Sequence, residues 1–443
     1  MTRRLTIASA TLLCLPAVTA CAVTQAQAEE RRAPALDGRI VVVSDGEHLA
    51  STYADGVLSP ESAGFRDLVS VVELNGNRVA TASVEASNSV TSAPEVLGLS
   101  PDGGTAYVVE RLGQRPPGGS TVNDLAQGTK LTVLDVSDSS APRVRSTVAV
   151  AAMPEALAVS PDGSAVAVVA NPDRRSVLQI IPKSKHGSGL GTPRSVDLAA
   201  LGVTAARGDL VTNVQWHPSG RFVAVNVTNR DRVAFVEVGE RPRLWGNVVA
   251  TGKDPFVGRF TPDGRHYLTS NWGRDLTATD LEGRLPNEPS TVGVIRLGNA
   301  AAGERASHRV VATAATDRSA EGLAVSPDGR FVATVNMRGT ALPPDSSEYD
   351  EHASVSLLRL DPATGRLSAA RTVLFDGVLP EGGTFDPSGR WFIASVYQDT
   401  PGVQVFRVDA ETGELVPDRR IDLPHGVHHV VMPPSRHSQS FSG

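Results

Sequence analysis

Four glutamates stand at one repeated position. Glu95, Glu155, Glu321 and Glu381 each lie five residues ahead of a turn motif of the form X-Pro-Asp/Ser-Gly. The same place holds Thr212 and Phe256 in two further copies, with Asn213 and Asp254 beside them. In the C-terminal stretch Leu423-Pro424-His425-Gly426 matches Leu379-Pro380-Glu381-Gly382, which assigns the place to His425, with His428 a little further on. About ten residues downstream of each turn come Glu110, Asn171, Asn226, Asn271 and Asn336, followed closely in three copies by Arg111, Arg274 and Arg338. Carboxylates gathered on one axis can activate water or collect a cation. They also repel, by roughly 1 kcal/mol per pair at 4 Å in water and about 4 at an effective dielectric of 20. Separation across a wet channel, raised pKa values, the neighbouring arginines or a bound cation would each relieve that repulsion. The oxygen-rich supply favours calcium among cations. His425 and His429 have a spacing that suits zinc on a helix, but in a strand they stand roughly 13 Å apart.

The elements that hold these residues are short β-strands. The turn motif starts at Ser100, Ser160, His217, Thr261, Ser326 and Asp386, at intervals of 60, 57, 44, 65 and 60 residues. Pro presets one turn dihedral, Asp or Ser bonds to the backbone two residues on, and Gly accepts a positive φ. Each copy lies between two apolar runs, and a third and fourth run follow, so four strands repeat at long period. The termini settle the number of repeats. The C-terminal Leu-Pro-His-Gly stretch supplies an innermost strand that residues 39–85 complete with three more. The sequence therefore predicts an all-β, seven-bladed propeller over residues 39–433, closed by the C-terminal strand in the N-terminal blade, since closure removes open edges. The innermost strands start and the second strands end on one face, which places the Glu set, the amides and Trp272 around the mouth of a central channel. Long loops at 45–67, 111–129, 272–289 and 337–353 share that face. The last carries Asp345, Glu348, Asp350 and Glu351 against Arg338.

Composition narrows the function classes. The net charge of −6, with no basic stripe, gives no ground for a nucleic-acid partner. The two cysteines, Cys14 and Cys21, both precede the propeller, which leaves its body without a disulfide, a thiolate ligand or a thiol nucleophile. Met1–Arg4 and the apolar run Leu5–Ala20 have the form of a secretory signal. Residues 1–28 are assigned to it, 29–38 to a linker and 434–443 to a disordered tail. Two processing routes stay open: cleavage after Ala26-Gln27-Ala28, or lipidation of Cys21 in a lipobox-like Val18-Thr19-Ala20-Cys21. The protein is thus expected outside the cytoplasm, secreted or periplasmic, or tied to the envelope through a lipid as its one membrane contact.

The repeat resembles the seven-bladed lactonase-like propellers and the related YVTN-type repeat propellers of bacterial surface proteins. The Pro-Asp-Gly turns, the Asn after the second strand, and the phrases Val355–Leu367 and Val403–Leu415 carry the resemblance. It implies opening of sugar lactones or closing of muconate lactones in the channel mouth. The middle repeat of such sugar lactonases typically carries a His before the strand and a Glu after the Asn, and here Asn213 and Val227 occupy those places. The first expectation is accordingly an exported propeller binding a protein partner or small ligand at an acidic mouth formed by Glu95, Glu110, Asn171, Asn213, Asn226, Asn271, Trp272, Asn336, His425 and His428. The second is a lactonase-like hydrolase in which Glu155, Glu321 or Glu381 activates water and Arg274 or Arg338 stabilises the oxyanion. The third is a structural envelope protein without a small-molecule site.

Overall fold

A computed structural model describes residues 36–64, 66–89, 95–184 and 189–433. The signal segment, Cys21 and the tail at 434–443 lie outside the described residues. Seven antiparallel sheets are strung along the chain: blade 2 (97–149), blade 3 (154–197), blade 4 (211–250), blade 5 (255–315), blade 6 (320–375) and blade 7 (383–422), with blade 1 built from both ends. In blade 1 the order from the axis outward is Gly426–Val431, Gly38–Asp45, Leu68–Asn75 and Arg78–Glu85. Val431 pairs with Val41, Val430 with Val42 and His429 with Val43, so the ring closes as the repeat pattern predicts.

The turn chemistry is visible atom by atom. Ser100 Oγ donates to Asp102 Oδ1, and the Gly104 N–H bonds the same oxygen at 2.9 Å. Gly103 has φ +69° and its N–H reaches the Ser100 carbonyl at 2.8 Å. Ser160-Pro161-Asp162-Gly163 repeats the arrangement. A Cβ on Gly163 would lie 2.9 Å from Pro101 Cδ, so the turns of neighbouring blades also stack on one another around the ring. The second and third strands carry the buried valines and aromatics between blades. The outermost strands Arg78–Glu85 and Arg143–Ala149 are largely exposed, as edges rich in polar side chains should be. Blade 4, the shortest repeat, has its outer edge reduced to Arg243–Leu244 and Val249–Ala250.

At the start of most innermost strands the register slips. The slip falls between Pro154 and Ala156, Val211 and Asn213, Ala320 and Gly322, and in blade 1 at Val43/Ser44. The residue left unpaired is Glu155, Thr212, Glu321 and His428 respectively. A bulge re-aims its side chain out of the ladder, which is why the repeated Glu position is special. It also corrects the assignment of His425. That residue sits at the corner before the strand, at φ +82°, like Met153, Asp254 and Ser319, and His428 takes the Glu-equivalent place. The local Leu-Pro-X-Gly match is out of step because the closing blade has one more residue between corner and bulge.

Close blade packing at these starts leaves no room for side chains. A Cβ on Gly322 would lie 2.4 Å from the Glu381 carbonyl oxygen of the next blade. Gly322→Ala is expected to lower unfolding free energy by about 1–3 kcal/mol, read as a lower urea midpoint at unchanged m-value. An unaltered midpoint would mean the blades separate freely here.

Candidate functional site

A cavity of about 310 Å³ lies on the propeller axis, lined by innermost strands. Its polar end is built from four blades. Glu95, which precedes the first paired residue of blade 2, turns inward and is 4% exposed. Arg259 Nη2 reaches both of its carboxylate oxygens at 2.7 Å, and Gln215 Nε2 lies 3.4 Å from Oε2. Arg259 Nη1 is tied to the Gly258 carbonyl at 3.0 Å, which anchors the guanidinium. Burial alone would raise the Glu95 pKa, but Arg259 outweighs it and the carboxyl is held below its ordinary value.

His429 completes this end. Its Nε2 is 3.9 Å from Glu95 Oε2, and the Leu97 N–H donates to its Nδ1 at 3.1 Å. Burial pulls its pKa down to about 4, so it is neutral at pH 7. With Nδ1 accepting, the proton resides on Nε2 and is directed toward the Glu95 side of the cavity. An ionised carboxylate, a guanidinium and a neutral imidazole donor therefore share one space. Its volume falls in the range of small-molecule sites, about 300–1,000 Å³.

The other glutamates do not join them. Glu155 bonds Arg111 Nε at 2.8 Å and Asn171 Nδ2 at 3.1 Å. Glu381 accepts from the Tyr53 hydroxyl at 2.9 Å, a residue brought over by the loop at 45–67. Glu321 is 2% exposed and lines a separate cavity of about 70 Å³ with Tyr53, Trp272, Arg274 and apolar side chains. Arg274 is held at Asp254 by bonds of 2.7 and 3.2 Å and stacks 3.9 Å above Trp272. The expected convergence of four carboxylates on the channel is thus replaced by pairing and burial between blades, with bulges at Glu155 and Glu321 turning those side chains out of the ladder. Asn226, Asn271 and Asn336 likewise bond within the barrel wall, to Tyr267, Thr291 and Ser354. Asn213 reaches the Gly258 carbonyl, and His428 bonds Asn88 at 2.7 Å. Glu110 faces Lys130 at 3.5 Å.

Burial pushes the Glu321 carboxyl up to about 8, with Arg274 opposing and Asp254 adding to the shift. From about 4.5 to 8 the folded protein holds a proton that the unfolded chain releases. This contribution to stability is complete below 4.5 and is lost as pH rises through 8. Glu321→Gln cannot ionise, so its Tm relative to the native protein should improve from about pH 4.5 to pH 8 and level off above that. A Tm difference independent of pH would show that the carboxyl is ionised throughout.

A family model described as the seven-bladed β-propeller lactonase matches residues 52–431. The chain belongs to that family. Similar solved structures include a putative 6-phosphogluconolactonase from Bacteroides uniformis, at 14% identity and TM-score 0.62 over 89% of this chain and 99% of that one. The periplasmic gluconolactonase PpgL of Pseudomonas aeruginosa is 20% identical, with TM-score 0.60 over 89% of this chain and all of its own 100%. A protein of unknown function from Desulfotomaculum acetoxidans matches at 12% and 0.59, over 90% and 99%. At these identities the likeness concerns the fold. No curated protein matches the chain.

Asn213, where the resemblance places a His, and His429 hold the same register position, the first after the bulge, in blades 4 and 1. Sequence reasoning missed His429, Arg259 and Gln215. Its one usable signal was that His428 and His429, being adjacent, cannot face the same way in a strand. The long loops are anchored in the core. Residues Ala50, Trp272, Leu281, Met337, Leu342 and Tyr397 from or beneath them share one buried cluster. The acidic loop at 337–353 is neutralised from within, Glu348 by Arg318 at 2.7 Å, and Asp350 by both Arg318 and Arg338. Among the described residues, the group able to hold a metal lies elsewhere: Asp45, Glu47 and Asp67, with ligand atoms within 4.8 Å of one another. Burial and the two neighbouring acids raise the Asp67 carboxyl well above its usual range, and it bonds Glu47. The Asp67 carboxyl is thus biased toward its neutral form, while Asp45 faces His48 Nδ1 at 2.9 Å.

Proposed function

We propose that this propeller hydrolyses lactones in its axial cavity. The observation that carries the proposal is the Glu95–Arg259–His429 arrangement at one end of a 310 Å³ space in a chain of the lactonase family. Glu95 takes a proton from water as its oxygen bonds to the lactone carbonyl carbon. The oxyanion is stabilised by the Nε2–H of His429 and by Arg259, whose five N–H donors exceed what Glu95 and Gly258 use. Collapse breaks the ring C–O bond, and the proton on Glu95 passes to the departing alkoxide, which gives a hydroxy acid. A pH-stat assay over a panel of lactones tests this. Turnover lost in both Glu95→Gln and Arg259→Gln, with folding intact, supports it. Unchanged turnover in both removes the axial cavity.

A second location is favoured by one observation. Glu321 has an unbonded, buried Oε2 in a cavity that Arg274 also lines, which is the base-and-arginine pair expected from sequence. At about 70 Å³ this space is under a quarter of the axial one, so it ranks behind. Turnover abolished by Glu321→Gln but not by Glu95→Gln would reverse the order.

Calcium is the ion proposed for Asp45, Glu47 and Asp67, whose ligands are all oxygens. Binding must displace the proton on Asp67, so affinity should rise with pH. Millimolar calcium is expected to raise Tm in the native protein and not in Asp67→Asn; equal shifts in both would place the effect elsewhere. Export is proposed from the Met1–Ala20 pattern, in keeping with a relative named as periplasmic. Globomycin-sensitive processing abolished by Cys21→Ser would assign the lipid-anchored form, and insensitivity to both the secreted one.

A further inference from the structure

The axial cavity is polar at one end only. Its other end is bounded by the residue that precedes the turn in blade after blade: Leu99, Val159, Phe260, Val325 and Phe385, joined by Met432 beyond the closing strand. Six apolar side chains from six blades thus form a collar. Leu157 and Val431 add to the wall. Glu95 and Arg259 are the two charged residues lining the cavity, with His429 the third titratable one, and at 2.7 Å their opposite charges offset each other.

We infer that the lactones taken by this site carry an apolar substituent on the ring, and that sugar lactones and their phosphates are poor occupants. The inference deepens the hydrolase proposal and rests on it for the chemistry. A lactone carbonyl placed at Arg259 and His429 directs the rest of the molecule along the axis into the collar. An alkyl chain there loses only water, gaining from each buried methylene. A polyol would lose hydrogen bonds to water in exchange for Leu, Val and Phe, and each unmet hydroxyl is costly. A phosphate dianion would meet no net positive charge among the lining residues, since Glu95 offsets Arg259, and would face the Glu95 carboxylate, a like-charge approach. Thr384 is the one hydroxyl in the lining, too few for a sugar.

The test compares three substrates on the purified full chain: δ-decalactone, gluconolactone and 6-phosphogluconolactone. The expected kcat/KM order places δ-decalactone about 10-fold or more above gluconolactone, consistent with several buried methylenes, and the phosphate lowest. Val159→Lys and Met432→Lys, both at half-exposed positions, should reduce δ-decalactone turnover and raise that of the phosphate. Preference for either sugar lactone by the native protein overturns the inference while leaving the hydrolase proposal standing. If no lactone is opened the hydrolase proposal falls, and binding then decides the occupant. Calorimetry with the carbocyclic ketone analogue of δ-decalactone should show binding that both lysine variants weaken. Absence of binding by the native protein, or binding insensitive to both variants, overturns the inference as well.

Discussion

Glu95→Gln is expected to lower kcat for lactone opening by about 10²–10⁴-fold, the usual worth of a positioned general base. The substitution keeps the shape and one accepting oxygen for Arg259 Nη2, so the cavity should persist. What disappears is the negative charge that Arg259 holds in place and the lone pair that accepts the water proton. KM should move far less than kcat, because the carboxylate acts on water and the carbonyl is held by Arg259 and His429. Arg259→Gln should cost both parameters, since it leaves Glu95 buried at 4% exposure without its cation and removes an oxyanion donor. Full turnover in Glu95→Gln, at unaltered Tm, would show that the base is another group. The Glu95 pKa is held low and that of His429 sits near 4. Activity should therefore fall only on acidification below about pH 5, as His429 gains a second proton and can no longer accept from Leu97.

Val430→Asp is expected to cost about 4–5 kcal/mol of stability, a large share of the roughly 5–15 that a folded domain has. Val430 and Val427 are fully buried and pack with Ile40, Val42, Trp391 and Ile393 in the seam between blades 7 and 1. A carboxylate there has no cation to pair with in that cluster and must either ionise in an apolar seam or bind a proton. Ending the chain before Gly426 should be more severe, since it strips the innermost strand and leaves the edge of Gly38–Asp45 unpaired. Size-exclusion chromatography should then show aggregation, and the urea transition should lose its cooperativity. A truncated protein that remained monomeric with an unchanged midpoint would mean the ring stands without its closing strand.

The fold was legible because its signals are local. A Ser-Pro-Asp-Gly turn is made by bonds spanning two to five residues, as Ser100, Asp102 and Gly104 show, and those residues are neighbours in the chain. Even the joined termini could be read, since the closing stretch repeats the wording that introduces other blades. The candidate site was legible only in part. Glu95 was singled out, but as one of four alike. Glu155, Glu321 and Glu381 share its sequence position yet pair with Arg111, an enclosed cavity and Tyr53 instead.

Amino-acid order alone determined the repeat, the seven blades and the place where the ends meet, because turn chemistry and strand alternation act over a few residues. The tertiary structure decided which side chains share a space. Glu95 and Arg259 are 164 residues apart in the chain, and Leu97 and His429 are 332 apart. They meet only because a ring brings blades 1, 2 and 5 around one axis. Where a bulged residue opens the innermost strand, as at Glu155 and Glu321, its side chain turns out of the ladder and into the wall.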